Sequence, residues 1–284
     1  MNKTIIAIIL FVFAISPLIS QKKKTVKTNT SKEKNQIVQT VNNKLDSVLS
    51  IYFQKTGLDK FNEIKSLEIE GEMEILNNTY AFRLQYKPPY FFRMKERFGS
   101  QWVYRILNGK EMKVITKNGI IDISQQEIDV VYNLIAYLKG FLTDYKKNGF
   151  ELTYLGLDTI SHIPEPSPDP ARPVIQIPVA KIPKGLHHII QVKTPTNEVN
   201  KVYINNETYN ITLSSENPFM FAKIGPVKFD LYENVEGFRF PFRIEIISPV
   251  FPAIFRLQQI TLNKEFPDSY FKLDSPENKW VEDE

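Results

Sequence analysis

Residues 66–75 read SLEIEGEMEI. Glu68, Glu70, Glu72 and Glu74 fall at one parity, and Leu67, Ile69, Gly71, Met73 and Ile75 at the other. Successive side chains of a strand point to opposite faces, so this stretch is a ribbon with a charged, solvated side and an apolar side. The alternation recurs downstream. Tyr80, Phe82, Leu84 and Tyr86 alternate with Ala81, Arg83, Gln85 and Lys87. Tyr90, Phe92, Met94 and Phe98 then stand opposite Phe91, Arg93, Lys95 and Arg97. Asn77-Asn78 and Asn108-Gly109 supply turn residues that tolerate positive φ, and residues 102–107 and 110–116 read as the arms of a further hairpin.

Further strands are expected at ELTYLGLDTI (151–160), HHIIQVKT (187–194), NKVYINNET (200–208) and ITLSSE (211–216). FRFPFRIEI (238–246), AIFRLQQITLN (253–263) and SYFKL (269–273) follow. Two stretches have helical spacing instead. Ile37 to Phe53 places Ile37, Val41, Leu45, Val48, Leu49 and Tyr52 on one stripe, ended by Thr56-Gly57. Ser124 and Glu127 form a capping box before Ile128, Val131, Tyr132, Ile135 and Leu138, a stripe that runs into Gly140. Residues 162–185 carry seven prolines, which forbid a regular central strand or helix, so an extended loop at a sheet edge is expected there.

The chain opens with Lys3 and an apolar run over residues 5–19, shorter than the ~20 residues of a comfortable membrane span. A secretory signal peptide over residues 1–20 is the expectation, and an uncleaved anchor is the alternative; either puts the remainder outside the cytoplasm. Residues 21–35 form a lysine-rich linker, 36–275 one domain with the proline-rich insertion, and 276–284 an acidic tail. Residues 21–34 hold six lysines against Glu33, which exceeds the +4 of the whole chain, so the folded part is mildly acidic. A nucleic-acid groove, which needs a basic face on the fold itself, is not expected.

Little points to covalent chemistry. The chain has no cysteine, which excludes disulfides, thiolate metal sites and a cysteine nucleophile. His187 and His188 are adjacent in a predicted strand, so their rings point apart and cannot share one metal. No phosphate loop, G-x-S-x-G elbow or H-E-x-x-H motif is present. A non-enzymatic protein without metal or cofactor is therefore expected. The informative property is the number of amphipathic strands set against two helices. Their apolar faces require a second sheet, a barrel, or helical caps. A fully packed sandwich and a half-rolled trough lined by apolar side chains both satisfy that demand.

Several short motifs, in order, resemble the outer-membrane lipoprotein-sorting (LolA-like) family of periplasmic carriers. They are Thr56-Gly57-Leu58, Ile64-Lys65-Ser66-Leu67, Lys87-Pro88 followed by Tyr90-Phe91-Phe92-Arg93, and Asn108-Gly109-Lys110. The amphipathic 125–138 helix, Val235-Glu236-Gly237 before Phe240-Pro241, and Asn263 with Asp268 and Phe271 complete the series. The resemblance covers most of residues 40–273. It implies an incompletely closed antiparallel β-barrel, mainly β within an α+β class, with helices covering an apolar cavity. It implies a monomeric carrier of lipid or acylated lipoprotein in the periplasm of a Gram-negative-type bacterium, served by a transfer partner in the outer or inner membrane. Met73, Phe82, Leu84, Phe92, Met94, Val131, Ile135, Leu138, Phe240 and Phe242 are the candidate cavity wall. In the family an arginine before the proline helps hold the lid shut, and Lys87 stands at that position. The alternative is an envelope interaction module with a self-packed barrel, whose proline-rich loop or edge strand docks a protein.

Overall fold

In the computed structural model of the chain, the described residues are 31–75, 78–98, 101–109, 111–123, 128, 142–143, 145–147, 149–162, 181–194, 197, 199–215, 225–247, 252–272, 274–275 and 278, with only backbone for 31–42, 98 and 122. The proline-rich segment 163–180, residues 1–30 and most of the expected second helix lie outside this set.

One helix, α1 (Ser31–Thr56), leads into a 3-10 turn (Leu58–Glu63). It starts inside the segment expected to be a linker. Then come β1 (Leu67–Ile75), β2 (Asn78–Lys87), β3 (Phe91–Phe98), β4 (Gln101–Asn108), β5 (Glu111–Thr116) and β6 (Gly119–Asp122). The second run is β7 (Glu151–Thr159), β8 (Leu186–Lys193), β9 (Val199–Asn205), β10 (Ile211–Ser214), β11 (Val227–Val235), β12 (Phe238–Ile246) and β13 (Ala253–Leu262). The expected strand at 269–273 is instead a second 3-10 turn (Asp268–Phe271), because Pro267 precedes it and its aromatic side chains fold inward.

All thirteen strands form one antiparallel sheet in the order β6-β5-β4-β3-β2-β1-β13-β12-β11-β10-β9-β8-β7. It is therefore two meanders joined at β1–β13, open at β6 and β7, as the half-barrel expectation requires. The apolar residues of β1 look the same way as Tyr80, Phe82, Leu84 and Tyr86 of β2 and as Leu257, Ile260 and Leu262 of β13. Side chains from both meanders and from α1 meet in one buried cluster, which only a sheet curled around a common interior allows.

The end of α1 is fixed to the β11–β12 turn. Thr56 Oγ1 donates to the Tyr52 carbonyl (2.7 Å), and Gly57 reverses the chain at φ +76°. A Cβ on Gly57 would sit 2.3 Å from the Gly237 carbonyl oxygen, so glycine is what permits this approach. Phe61 then packs edge-on against Phe238 (6.2 Å between centroids), and Tyr232 donates to the Ile211 carbonyl at 2.7 Å. Burial beside Tyr52 pushes the Tyr232 hydroxyl far above its ordinary pKa. The ladder between β12 and β13 runs only from the Arg243–Arg256 pair to the Ile246–Ala253 pair. Pro241 lies beyond it, where no partner on that side needs the N–H that proline lacks.

The outer face corrects one expectation. Alternation predicts that all four glutamates of β1 are solvated, yet Glu68 is only 3% exposed. The chain after β13 folds back over it. Asn263 exchanges bonds with the Lys65 and Ser66 backbone, and Lys264 pairs with the Glu68 carboxylate. Gln85 donates to Glu68 at 2.7 Å, and Arg93 donates to Gln85 and to Asn278, each at 2.8 Å. Asn278, inside the expected tail, is itself buried and donates to the Tyr270 and Lys272 carbonyls. The other glutamates behave as surface charges, with Glu70 pairing to Arg83 and Glu74 to Arg256.

Gly71 sits at a register shift of the β1–β13 ladder, where a Cβ would lie 2.4 Å from the Arg256 carbonyl oxygen and 3.1 Å from Leu257 Cα. Gly71→Ala is expected to force these backbones apart and cost about 1–3 kcal/mol. The check is the urea midpoint at unchanged slope; an unaltered midpoint would show that the two strands have room to give.

Candidate functional site

The concave face is built from the inward positions of the two meanders. Met73, Phe82, Leu84, Phe92 and Phe240, all expected wall residues, are buried there, and Met94 and Phe242 are half-buried against the same cluster. Val131, Ile135 and Leu138 lie outside the described residues. Lys87 stands elsewhere. It shares the outer face with Gln85 and Arg83, and its ammonium pairs with Asp268 of the chain-terminal clasp. That pairing holds the Asp268 carboxyl below its ordinary pKa. The structure thus gives Lys87 a partner on the face away from α1.

Part of the concave face is apolar without being sealed. Tyr80, Met94, Phe242, Ile244, Phe255 and Leu257 are all half-buried and pack on the core. Cross-strand pairs line them up: Tyr80 faces Met73, Met73 faces Phe255, and Phe255 faces Ile244. The Phe82 and Phe255 rings meet edge to face at 5.9 Å. This strip lies where the β12–β13 ladder ends, whereas α1 lays Leu45, Val48, Leu49 and Tyr52 into the core and makes its sheet contacts on β7 and β12.

One ion pair, absent from the residues expected on sequence grounds, interrupts the apolar lining. Glu96 and Arg105 point inward from β3 and β4 and pair with each other, their side chains only 7% and 16% exposed. The signal is present in parity, because Glu96 occupies the apolar phase of Phe92 and Met94, and Arg105 that of Val103 and Leu107.

The histidines sit at the other meander. His188 faces α1; its Nδ1 lies 3.1 Å from the Tyr154 hydroxyl, and its ring packs near Tyr209, over which Lys55 is held at 4.8 Å. His187 points to the other face and donates from Nδ1 to the Gly185 carbonyl at 3.0 Å. The two rings do diverge, and both are buried. Among the described residues no group of three or more histidine or carboxylate side chains converges on a metal position. On the outer side of β7–β9, a cavity of about 340 Å³ is lined by Ile160, His162, Ile189, Lys201, Tyr203 and neighbours.

No family model matches the chain, and no curated protein does. Three solved structures are similar over most of its length. A DUF1329 family protein from Desulfovibrio piger shares 10% identity at a TM-score of 0.49, covering 80% of this chain and 97% of that one. A domain named for outer-membrane lipoprotein sorting, from Vibrio parahaemolyticus, shares 7% at 0.48, covering 79% and 94%. A LolA superfamily protein from Nitrosomonas europaea shares 12% at 0.47, covering 76% and 96%. Two of the three carry the family that the sequence motifs resemble. At TM-scores under 0.5 and identities of 12% or less, the likeness carries no argument about what this chain does.

Burial lowers the pKa of His187 and of His188, the latter with help from Lys44 and His187. A histidine whose folded pKa is depressed opposes folding once protonated. Its neutral form therefore supports the fold fully above the unfolded value of about 6.5, and that support is lost as pH falls through the lower folded value. The urea midpoint is expected to drop between about pH 7.5 and 5, and to drop less in a His187→Asn/His188→Asn variant. Equal slopes in the two proteins would assign the acid sensitivity to other groups.

Proposed function

We propose that the chain is a periplasmic carrier that holds acyl chains of a lipid or lipoprotein on its concave face and performs no covalent chemistry. The observation that carries this reading is the half-buried apolar strip of Tyr80, Met94, Phe242, Ile244, Phe255 and Leu257, set against a fully buried core. A self-contained sheet gains nothing by leaving that strip partly wet, whereas an acyl chain laid on it would complete the burial. Each buried CH₂ contributes roughly 0.8 kcal/mol, so ten carbons contribute ~8 kcal/mol before ordering costs. The apolar run at residues 5–19 supports export, and the ordered family motifs support a carrier in place of an enzyme.

The second reading is the interaction module. Edge strand β7 favours it, since Leu155 and Leu157 are both exposed there and could receive an added strand.

Native mass spectrometry of the protein purified from its own envelope without detergent separates the two. A stoichiometric lipid or acylated-protein adduct is expected, and Phe242→Asp should lose it while remaining folded. A bare mass that stays bare after incubation with lipid and lipoprotein would hand the case to the interaction module.

A further inference from the structure

The Glu96–Arg105 pair has no place in a purely apolar trough. Of the described inward positions on β1–β6, β12 and β13, these two alone carry charge. Taking two ions out of water is costly, and well-packed apolar residues of the same size usually do as well for stability. The pair is also well placed. Arg105 stands opposite Met94, and Glu96 opposite Phe82, whose ring leads directly to Phe255. It therefore terminates the half-buried strip at the β4 end, while Phe242 and Ile244 of β12 form the other end. Five inter-strand steps of ~4.8 Å separate β4 from β12, roughly 24 Å along the curved face. That length suits one extended long acyl chain.

Building on the carrier reading, we infer that Arg105, held by Glu96 in the empty trough, anchors the charged head of the cargo. The ligand is then an anionic amphiphile whose carboxylate or phosphate meets Arg105 while its acyl chain crosses β3, β2, β1, β13 and β12. A guanidinium fork matches either oxyanion in bidentate fashion, which an ammonium would not. Arg105 is also the more exposed member of the pair. Glu96 keeps it neutralised when the trough is empty and yields it to a stronger, doubly bonded partner. The carboxylate thus sets selectivity, because a ligand must offer an anion good enough to displace it.

The test uses delipidated full-length protein loaded with a neutral, environment-sensitive naphthylamine dye. The dye is displaced by palmitate, hexadecyl phosphate or hexadecanol, three ligands of one chain length. The anions are expected to displace it at about tenfold lower concentration than the alcohol, as a charge-assisted hydrogen bond would give. Which of the two acts at the lower concentration distinguishes a carboxylate head from a phosphate head. Arg105→Gln should erase the preference, and Glu96→Gln should tighten both anions several-fold while leaving hexadecanol unchanged. The Glu96→Gln result also keeps the test intact if Arg105→Gln fails to fold, since a pair with only a packing role would not produce it. Equal displacement by all three compounds, or an anion preference that survives Arg105→Gln, overturns the anchor and spares the carrier. Displacement by none of them overturns both.

Discussion

The close approach of β1 to β13 at Gly71 is the contact on which the architecture depends. Every other neighbour in the sheet is joined by a chain connection to the strand beside it, but these two come from opposite ends of the fold. Their pairing converts two meanders into one thirteen-stranded surface and fixes which face of each is apolar. A one-residue slip would turn Leu67, Ile69 and Met73 outward and bring the glutamates into the core. The register shift between Glu70 and Gly71 bends the ladder, and the missing side chain lets the Arg256 carbonyl close over the bend. The curl that gives both halves a common interior begins there.

The outer face protects that seam. The chain leaving β13 does not trail away but folds back across β1, β2 and β3, with Phe266 and Phe271 buried beneath it. Its polar half is a chain of bonds from Lys264 through Glu68, Gln85 and Arg93 to Asn278. Arg93 is also flanked by the Tyr104 and Tyr270 rings at 5.1 and 5.2 Å. Each exposed ion pair nearby, such as Glu70–Arg83, contributes little by itself. The buried chain matters differently, because every member would be costly to leave without its partner. It holds the terminal segment in one register, and through it the two meanders.

Alternation makes most of this legible. The period of two locates the central strands, and the helical stripe at Leu45, Val48, Leu49 and Tyr52 locates the face of α1 that is buried. Legibility ends where the period breaks. Val227 and Phe229 of β11 alternate with Lys228 and Asp230, but the next residue in that phase, Leu231 at φ +52°, is 60% exposed although the ladder to β12 keeps one register. Glu68 looks identical to its three neighbours, since nothing in SLEIEGEMEI shows that a segment nearly two hundred residues later will cover one of them. Position before a proline suggests a lid contact for Lys87, whereas its parity with Gln85 and Arg83 already places it on the outer face. The Glu96–Arg105 pair is readable from parity alone, as two charges in an apolar phase.

The two faces of the sheet thus do opposite things. Outside, a polar clasp and a ladder of ion pairs lock β1, β2, β3 and β13 together. Inside, the cover is attached near one end: α1 is pinned through Gly57 at the β11–β12 turn, and Lys55 bonds the Glu207 carbonyl at 2.7 Å. The buried stripe of α1, Leu45, Val48, Leu49 and Tyr52, packs toward β7 and β12, so the contacts that hold the helix are separate from the outer-face bonds that hold the β1–β13 seam. The proposed carrier activity requires a frame that stays shut while its cover moves. The polar chain from Lys264 through Glu68, Gln85 and Arg93 to Asn278 lies on the convex side, so movement of a cover on the concave side leaves those bonds intact.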